Sequence, residues 1–118
     1  MPAAQRPRWP AAIGALLAGV SVGLSAYASH AVDGIVRQHL LLAAAFAFGH
    51  GVALVALSAR TQGRLGASAS LLLMIGTLLF SGSLVAKSLL GWPSMLAPWG
   101  GTMLMLGWLL HVIGALRR

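Results

Sequence analysis

The chain has no cysteine, and a single acidic residue, Asp33, stands among its 118 residues. The first absence excludes disulfides, thiolate nucleophiles, iron–sulfur clusters and cysteine-type zinc sites. The second rules out a paired-carboxylate mechanism and leaves no serine–histidine–acid set within reach on one side. No phosphate-binding loop occurs either. Charge of any kind is scarce, at 8% of residues, where a soluble domain carries about 25% to keep its surface wetted. Enzymatic catalysis is therefore not expected.

In place of charge there are long apolar runs. Hydrophobic residues make up 58% of the chain, which also has 15 glycines. Since an apolar run of roughly 20 residues crosses a bilayer, the length accommodates about four spans and no separate soluble domain. Their expected positions are 11–32, 36–59, 65–90 and 95–116. Pro10 opens the first span and the turn dipeptide Asp33-Gly34 closes it. The polar "RTQGRLG" follows the second, "GWP" stops the third, and Pro98 falls in the first turn of the fourth. Backbone amides in hydrocarbon need partners within their own segment, so each span is expected to be helical. The first run is too long for a signal-peptide core and reads as a transmembrane helix. The expected fold is all-α, a single-domain antiparallel bundle of four transmembrane helices.

The net charge of +7 does not point to nucleic acid, because the basic residues sit at the borders of the apolar runs. In a four-span hairpin arrangement Arg6, Arg8, Arg60, Arg64, Arg117 and Arg118 lie on one side, and only Arg37 and Lys87 on the other. By the positive-inside rule both termini are expected in the cytoplasm, with the protein in the bacterial inner membrane. Trp9, Trp92 and Trp99 fall where amphipathic rings anchor a helix at the lipid–water boundary, and Lys87 can extend to the same boundary.

Small residues suggest which faces pack. On the first helix Ala11, Ala15, Gly19 and Gly23 make a ridge that continues to His30. On the fourth, Gly100, Gly107, His111 and Gly114 share a face, with Gly101 beside it. The third offers Ser70, Thr77 and Ser81, with Gly76, Gly82, Ser83 and Lys87 nearby. Ridges of this kind let helix backbones approach closely, and hydroxyls can bond across the contact.

Histidine is the remaining candidate for chemistry. His30, Asp33 and His39 cluster around the first turn and form a weak candidate metal set, but polar residues also gather wherever a helix leaves a membrane, and Asp33 can cap the second helix or pair with Arg37. His50 and His111 lie within spans, where ionisable groups are functional candidates by default. Their depths differ by about 6 Å at ~1.5 Å per residue, which suits a haem between them poorly. No cofactor or metal is expected. The most plausible intramembrane polar site combines His30 and His50 with Ser81 and Ser83.

Five segments occur in the order and spacing of one known family: "AYASHAV" (Ala26–Val32), "FGHGVAL" (Phe48–Leu54), "LLFSGSL" (Leu78–Leu84), "APWGG" (Ala97–Gly101) and "LGWLL" (Leu106–Leu110). In these the chain resembles, from about Gly14 onward, the small bacterial membrane proteins of the domain-of-unknown-function 423 family, whose eukaryotic relatives are named transmembrane protein 256. The resemblance implies a four-helix membrane fold and little about activity. The family's glycine-alanine-histidine motif matches Ala28-Ser29-His30, and its histidine-alanine motif matches His50-Gly51. Phe80, Ser81, Gly82, Ser83, Pro98, Gly100, Gly101 and Trp108 match as well. Two features depart from the family: the linker "DGIVRQH" is short, and "LLAAAFAFG" lacks the hydroxyls usual at the start of helix two.

The expectation is thus a non-enzymatic accessory or assembly subunit, in contact with membrane lipids and packed laterally against a larger membrane complex or its own copies. The alternative is a binder of a hydrophobic ligand, proton or metal around His30, Ser81 and His50.

Overall fold

The computed structural model describes residues 7–60 and 63–117. Among them are four helices: α1 (Trp9–Ala31), α2 (Gly34–Ser58), α3 (Arg64–Leu90) and α4 (Ala97–Leu116). All four are long and apolar enough to cross a membrane, and no described residue is in a strand. Two starts differ slightly from expectation because prolines are accepted in a first helical turn, where no intrahelical N–H is needed. Pro10 and Pro98 both occupy such positions, so α1 begins before Pro10 and α4 immediately before Pro98. Glycine is required at two turns. Gly34 (φ 62°) opens α2 and Gly91 (φ 71°) closes α3 in the left-handed region, where a Cβ is disfavoured.

The buried positions repeat at spacings of three, four and seven: Gly14, Ser21 and Ala28 on α1; Leu40, Ala44, Ala47, Gly51 and Leu54 on α2; Gly100, Leu104 and Gly107 on α4. This is the periodicity of helices packed nearly antiparallel. Leu54, Leu73 and Leu104 form the apolar centre, flanked by Leu17, Phe46 and Phe80. Glycine sets the closest approaches. A Cβ at Gly14 would stand 2.5 Å from the Gly51 carbonyl oxygen, and one at Gly100 would stand 2.5 Å from the Phe80 nitrogen and 2.7 Å from the Gly76 oxygen. Each hairpin, α1–α2 and α3–α4, is therefore joined backbone to backbone.

The bundle is antiparallel but open. Backbone packing runs α1 to α2, α2 to α3 and α3 to α4, with a slight touch of α1 on α3 and none of α4 on α1. The resulting body measures 52 × 31 × 19 Å, a staggered row with α1 and α4 at its ends. Because Gly100, in the first turn of α4, lies level with Gly76 and Phe80, α3 runs on past the start of α4 by about 15 Å. The 91–96 segment comes back along it.

The ridge expected on α1 is not the one that packs. Ala15, Gly19 and Gly23 are exposed, and a Cβ at Gly19 or Gly23 would meet nothing within 4 Å. The inward stripe is instead Gly14–Ser21–Ala28. The sequence offers two small-residue columns on this helix. Gly51 selects the one with Gly14, because close packing needs a small residue at the matching height on the partner. Gly82, also expected to pack, is exposed and a Cβ there would meet nothing within 4 Å, whereas Gly100 and Gly107 pack tightly and a Cβ at Gly101 would stand 3.9 Å from the Phe80 ring.

Candidate functional site

The buried hydroxyls of Ser21, Thr77 and Ser81 are tied to this chain's own backbone, whereas Ser88 Oγ and His111 Nε2 are buried without a hydrogen-bond partner among the described residues. Ser81 is buried, and its hydroxyl donates to the Ala43 carbonyl at 2.8 Å, linking α3 to α2. Ser21 donates to Ala18 O at 2.7 Å and Thr77 to Leu73 O at 2.6 Å. Such bonds satisfy a hydroxyl that water cannot reach. Ser83 is half-buried on the neighbouring stripe. Ser81, Thr77 and Ser21 also line an apolar groove of about 410 Å³ between α1, α2 and α3.

His50 is held from both sides. Its Nδ1 lies 2.9 Å from the Phe46 carbonyl oxygen, and its Nε2 accepts a hydrogen bond of 3.0 Å from the Trp108 indole N–H. A carbonyl can only accept and an indole N–H can only donate. The ring is therefore the tautomer with its proton on Nδ1, and both nitrogens are engaged. Rings extend this contact in both directions: Phe46 packs on Phe80 at 4.6 Å and stacks on His50 at 5.6 Å, and Trp108 meets His111 at 5.7 Å. Trp108, which matches the family and lies mid-helix where a packing role is expected, instead bonds α4 to α2, two helices whose backbones do not approach each other.

His30 does not join His50 and Ser81. It is exposed in the last turn of α1, on the outward face with Gly23. The Ala28 carbonyl is reached by Arg37 of α2, so His30 lies level with the beginning of α2 and roughly 20 Å from the depth of His50 at ~1.5 Å per residue. The expectation that His30 points into the bundle is thus overturned, with the ridge that carried it. Among the described residues no group of three histidine, aspartate or glutamate side chains gathers as a metal site would need, so His30, Asp33 and His39 are not brought together as one.

Arg37 was expected to pair with Asp33, and it does so loosely, at 3.7 Å with the carboxylate almost fully exposed. Its main role is different. Nε donates to the carbonyls of Ala28 and Val32, both at 3.0 Å, and Nη2 donates to that of Ser29 at 2.7 Å. These are carbonyls at the C-terminal end of α1, which lack intrahelical partners and carry the negative end of the helix dipole. The guanidinium caps α1 from α2. The sequence signal was a basic residue one turn into a helix that follows a two-residue turn. Asp33 makes no side-chain cap to α2.

The basic residues divide as their placement in the sequence suggested. Arg8, Arg60, Arg64 and Arg117 lie at one end and Arg37 and Lys87 at the other; Arg6 and Arg118 fall outside the described residues. Trp9, Trp92 and Trp99 are 69%, 58% and 68% exposed at helix ends, open to lipid or its boundary. Between the ends of α2 and α4 and the start of α3 lies a cavity of about 720 Å³ lined by Arg60, Arg64, Arg117 and His111. Its residues come from two stretches, 57–66 around the "RTQGRLG" loop and 110–117 at the end of α4, so no single motif marks it.

Four apolar spanning helices, a core of small residues and polar groups turned onto the chain's own backbone define a small multi-pass helical membrane protein. A family model described as "Protein of unknown function (DUF423)" matches residues 24–101, and the chain belongs to that family. Comparisons with curated proteins and with solved structures found no match.

Proposed function

We propose that the chain is a non-enzymatic accessory or assembly subunit of the bacterial inner membrane, seated laterally against a larger membrane complex, with both termini in the cytoplasm. One observation carries this reading. The Ala15–Gly19–Gly23 column, suited to close helix approach, is exposed, and a Cβ at Gly19 or Gly23 would meet nothing within 4 Å. Small residues in such a column allow another helix to approach at backbone distance. The interior adds support, because the hydroxyls of Ser21, Thr77 and Ser81 and both nitrogens of His50 already have partners within the chain. The orientation rests on the excess of arginine at one end.

The chain has no cysteine, so Gly23→Cys introduces a unique cross-linking position. Cross-linking in native membranes at native expression, followed by mild detergent extraction, should give one discrete larger adduct. Ala44→Cys, fully buried within the bundle, should give none. A chain that is extracted alone and forms no adduct through residue 23 refutes the reading.

A further inference from the structure

We propose that the cavity at the Arg60–Arg64–Arg117 end is a binding site for a phosphate-bearing anion. It lies where α2 ends, α3 begins and α4 ends, is a half-open concavity of about 720 Å³, and has His111 and Gly114 on its α4 wall. Three arginines line it, and this chain provides no acidic side chain to neutralise them. The only one, Asp33, lies in the α1–α2 turn at the opposite end and is within 3.7 Å of Arg37.

The backbone adds to the same field. Gly63, which caps the 27-residue α3, has no side chain to offer the helix start. Among the described residues the first helical hydrogen bond there is from the Ala67 N–H to Gly63 O, at 3.0 Å. The N–H groups of Arg64, Leu65 and Gly66 precede it and have no intrahelical acceptor, and those three residues line the cavity. The positive end of a long helix dipole thus meets three guanidinium groups in one concavity. Low-dielectric walls focus the field of such an arrangement.

The chemistry selects phosphate. A guanidinium presents N–H donors in a fork that matches two phosphate oxygens, and several forks around one group exceed what a lone carboxylate can engage. The site also lies at the end of the apolar spans, the depth at which lipid phosphates sit. On the inner wall, His111 Nε2 is buried with no hydrogen-bond partner among the described residues. The ligand is either the phosphodiester of an anionic lipid headgroup or a free phosphate compound from the aqueous side. This inference is independent of the lateral-partner reading, since the α1 column and the cavity share no residue.

The test uses the purified full chain in non-ionic detergent. Native mass spectrometry measures retention of phosphatidylglycerol against phosphatidylcholine, and calorimetry measures inorganic phosphate. The Arg60→Gln/Arg64→Gln variant should lose about thirtyfold in affinity, the order expected for two cations near a charged headgroup. Arg8→Gln/Lys87→Gln removes the same charge elsewhere and should bind as the parent does. Preferential retention of phosphatidylglycerol that millimolar phosphate does not displace identifies the lipid source. Calorimetric binding of phosphate, lost in the double variant, identifies the soluble one. The proposal is overturned if neither probe is bound above phosphatidylcholine, if the double variant binds like the parent, or if the charge-matched control loses as much. Should the double variant lose its helical circular dichroism, Arg117→Gln is put through the same comparison.

Discussion

Replacing Gly51 by alanine adds one carbon at the tightest point between α1 and α2. That carbon would stand 2.5 Å from the Gly14 carbonyl oxygen, 3.0 Å from the Ala18 nitrogen and 3.2 Å from Leu17 Cβ. Two of the three atoms are backbone, so no side-chain rotation relieves the clash and the helices must separate by about 1 Å. A gap of that size forfeits a large part of the dispersion well along the contact. Overpacking of this kind costs about 2–3 kcal/mol, partly offset by roughly 1 kcal/mol because alanine is the better helix former. The expected net destabilisation is about 1–2 kcal/mol. Gly23→Ala is the matched comparison. It gains the same helical preference and meets nothing within 4 Å, so it should be neutral or stabilising by up to about 1 kcal/mol. Unfolding of the purified chain by sodium dodecyl sulfate in mixed micelles, followed by far-ultraviolet circular dichroism, measures both. Equal midpoints would refute the packing described above, and a Gly23→Ala variant less stable than Gly51→Ala would point to the Gly19–Gly23 column as the inward one.

Arg37→Met keeps the aliphatic stem but removes the three hydrogen bonds to α1 carbonyls; with the guanidinium partly exposed, a loss of about 1–2 kcal/mol is expected in the same titration, and Arg37→Lys should recover only part of it. Trp108→Phe leaves His50 Nε2 without its donor and should cost about 1 kcal/mol. A double-mutant cycle with His50→Phe checks that the two act as a pair, and zero coupling would show that they do not. For orientation, Met95→Cys should react with a membrane-impermeant maleimide in intact cells, and Ala59→Cys only after permeabilisation. The reverse pattern refutes cytoplasmic termini.

The four helices were legible because hydrocarbon leaves a backbone few options, and because Pro10, Asp33-Gly34, Gly91 and Pro98 mark where it can turn. Helix faces were less legible. A Gly/Ala-rich span such as α1 offers columns in more than one direction, and each looks equally able to pack when its partner is out of view. His30 was assigned to the interior through the wrong column. For His50 the family motif marked the residue, but not the Trp108 indole that holds it, which is 58 positions away. Arg37 was visible as a charge and as a partner of Asp33, yet its bonds run backwards onto the preceding helix. Composition could not show that direction.

Composition and periodicity by themselves determined the solvent this chain faces, the number of spans, their approximate limits and the end at which arginine accumulates. These follow from local requirements: transfer of apolar side chains, satisfaction of backbone amides, and the cost of burying charge. Tertiary structure alone decided which glycines touch, which histidine is bonded at both ring nitrogens, and that Arg60, Arg64 and Arg117 line a single cavity. Those outcomes depend on matched heights between segments far apart in the chain. Close packing is a property of two surfaces, and a sequence displays them only one at a time.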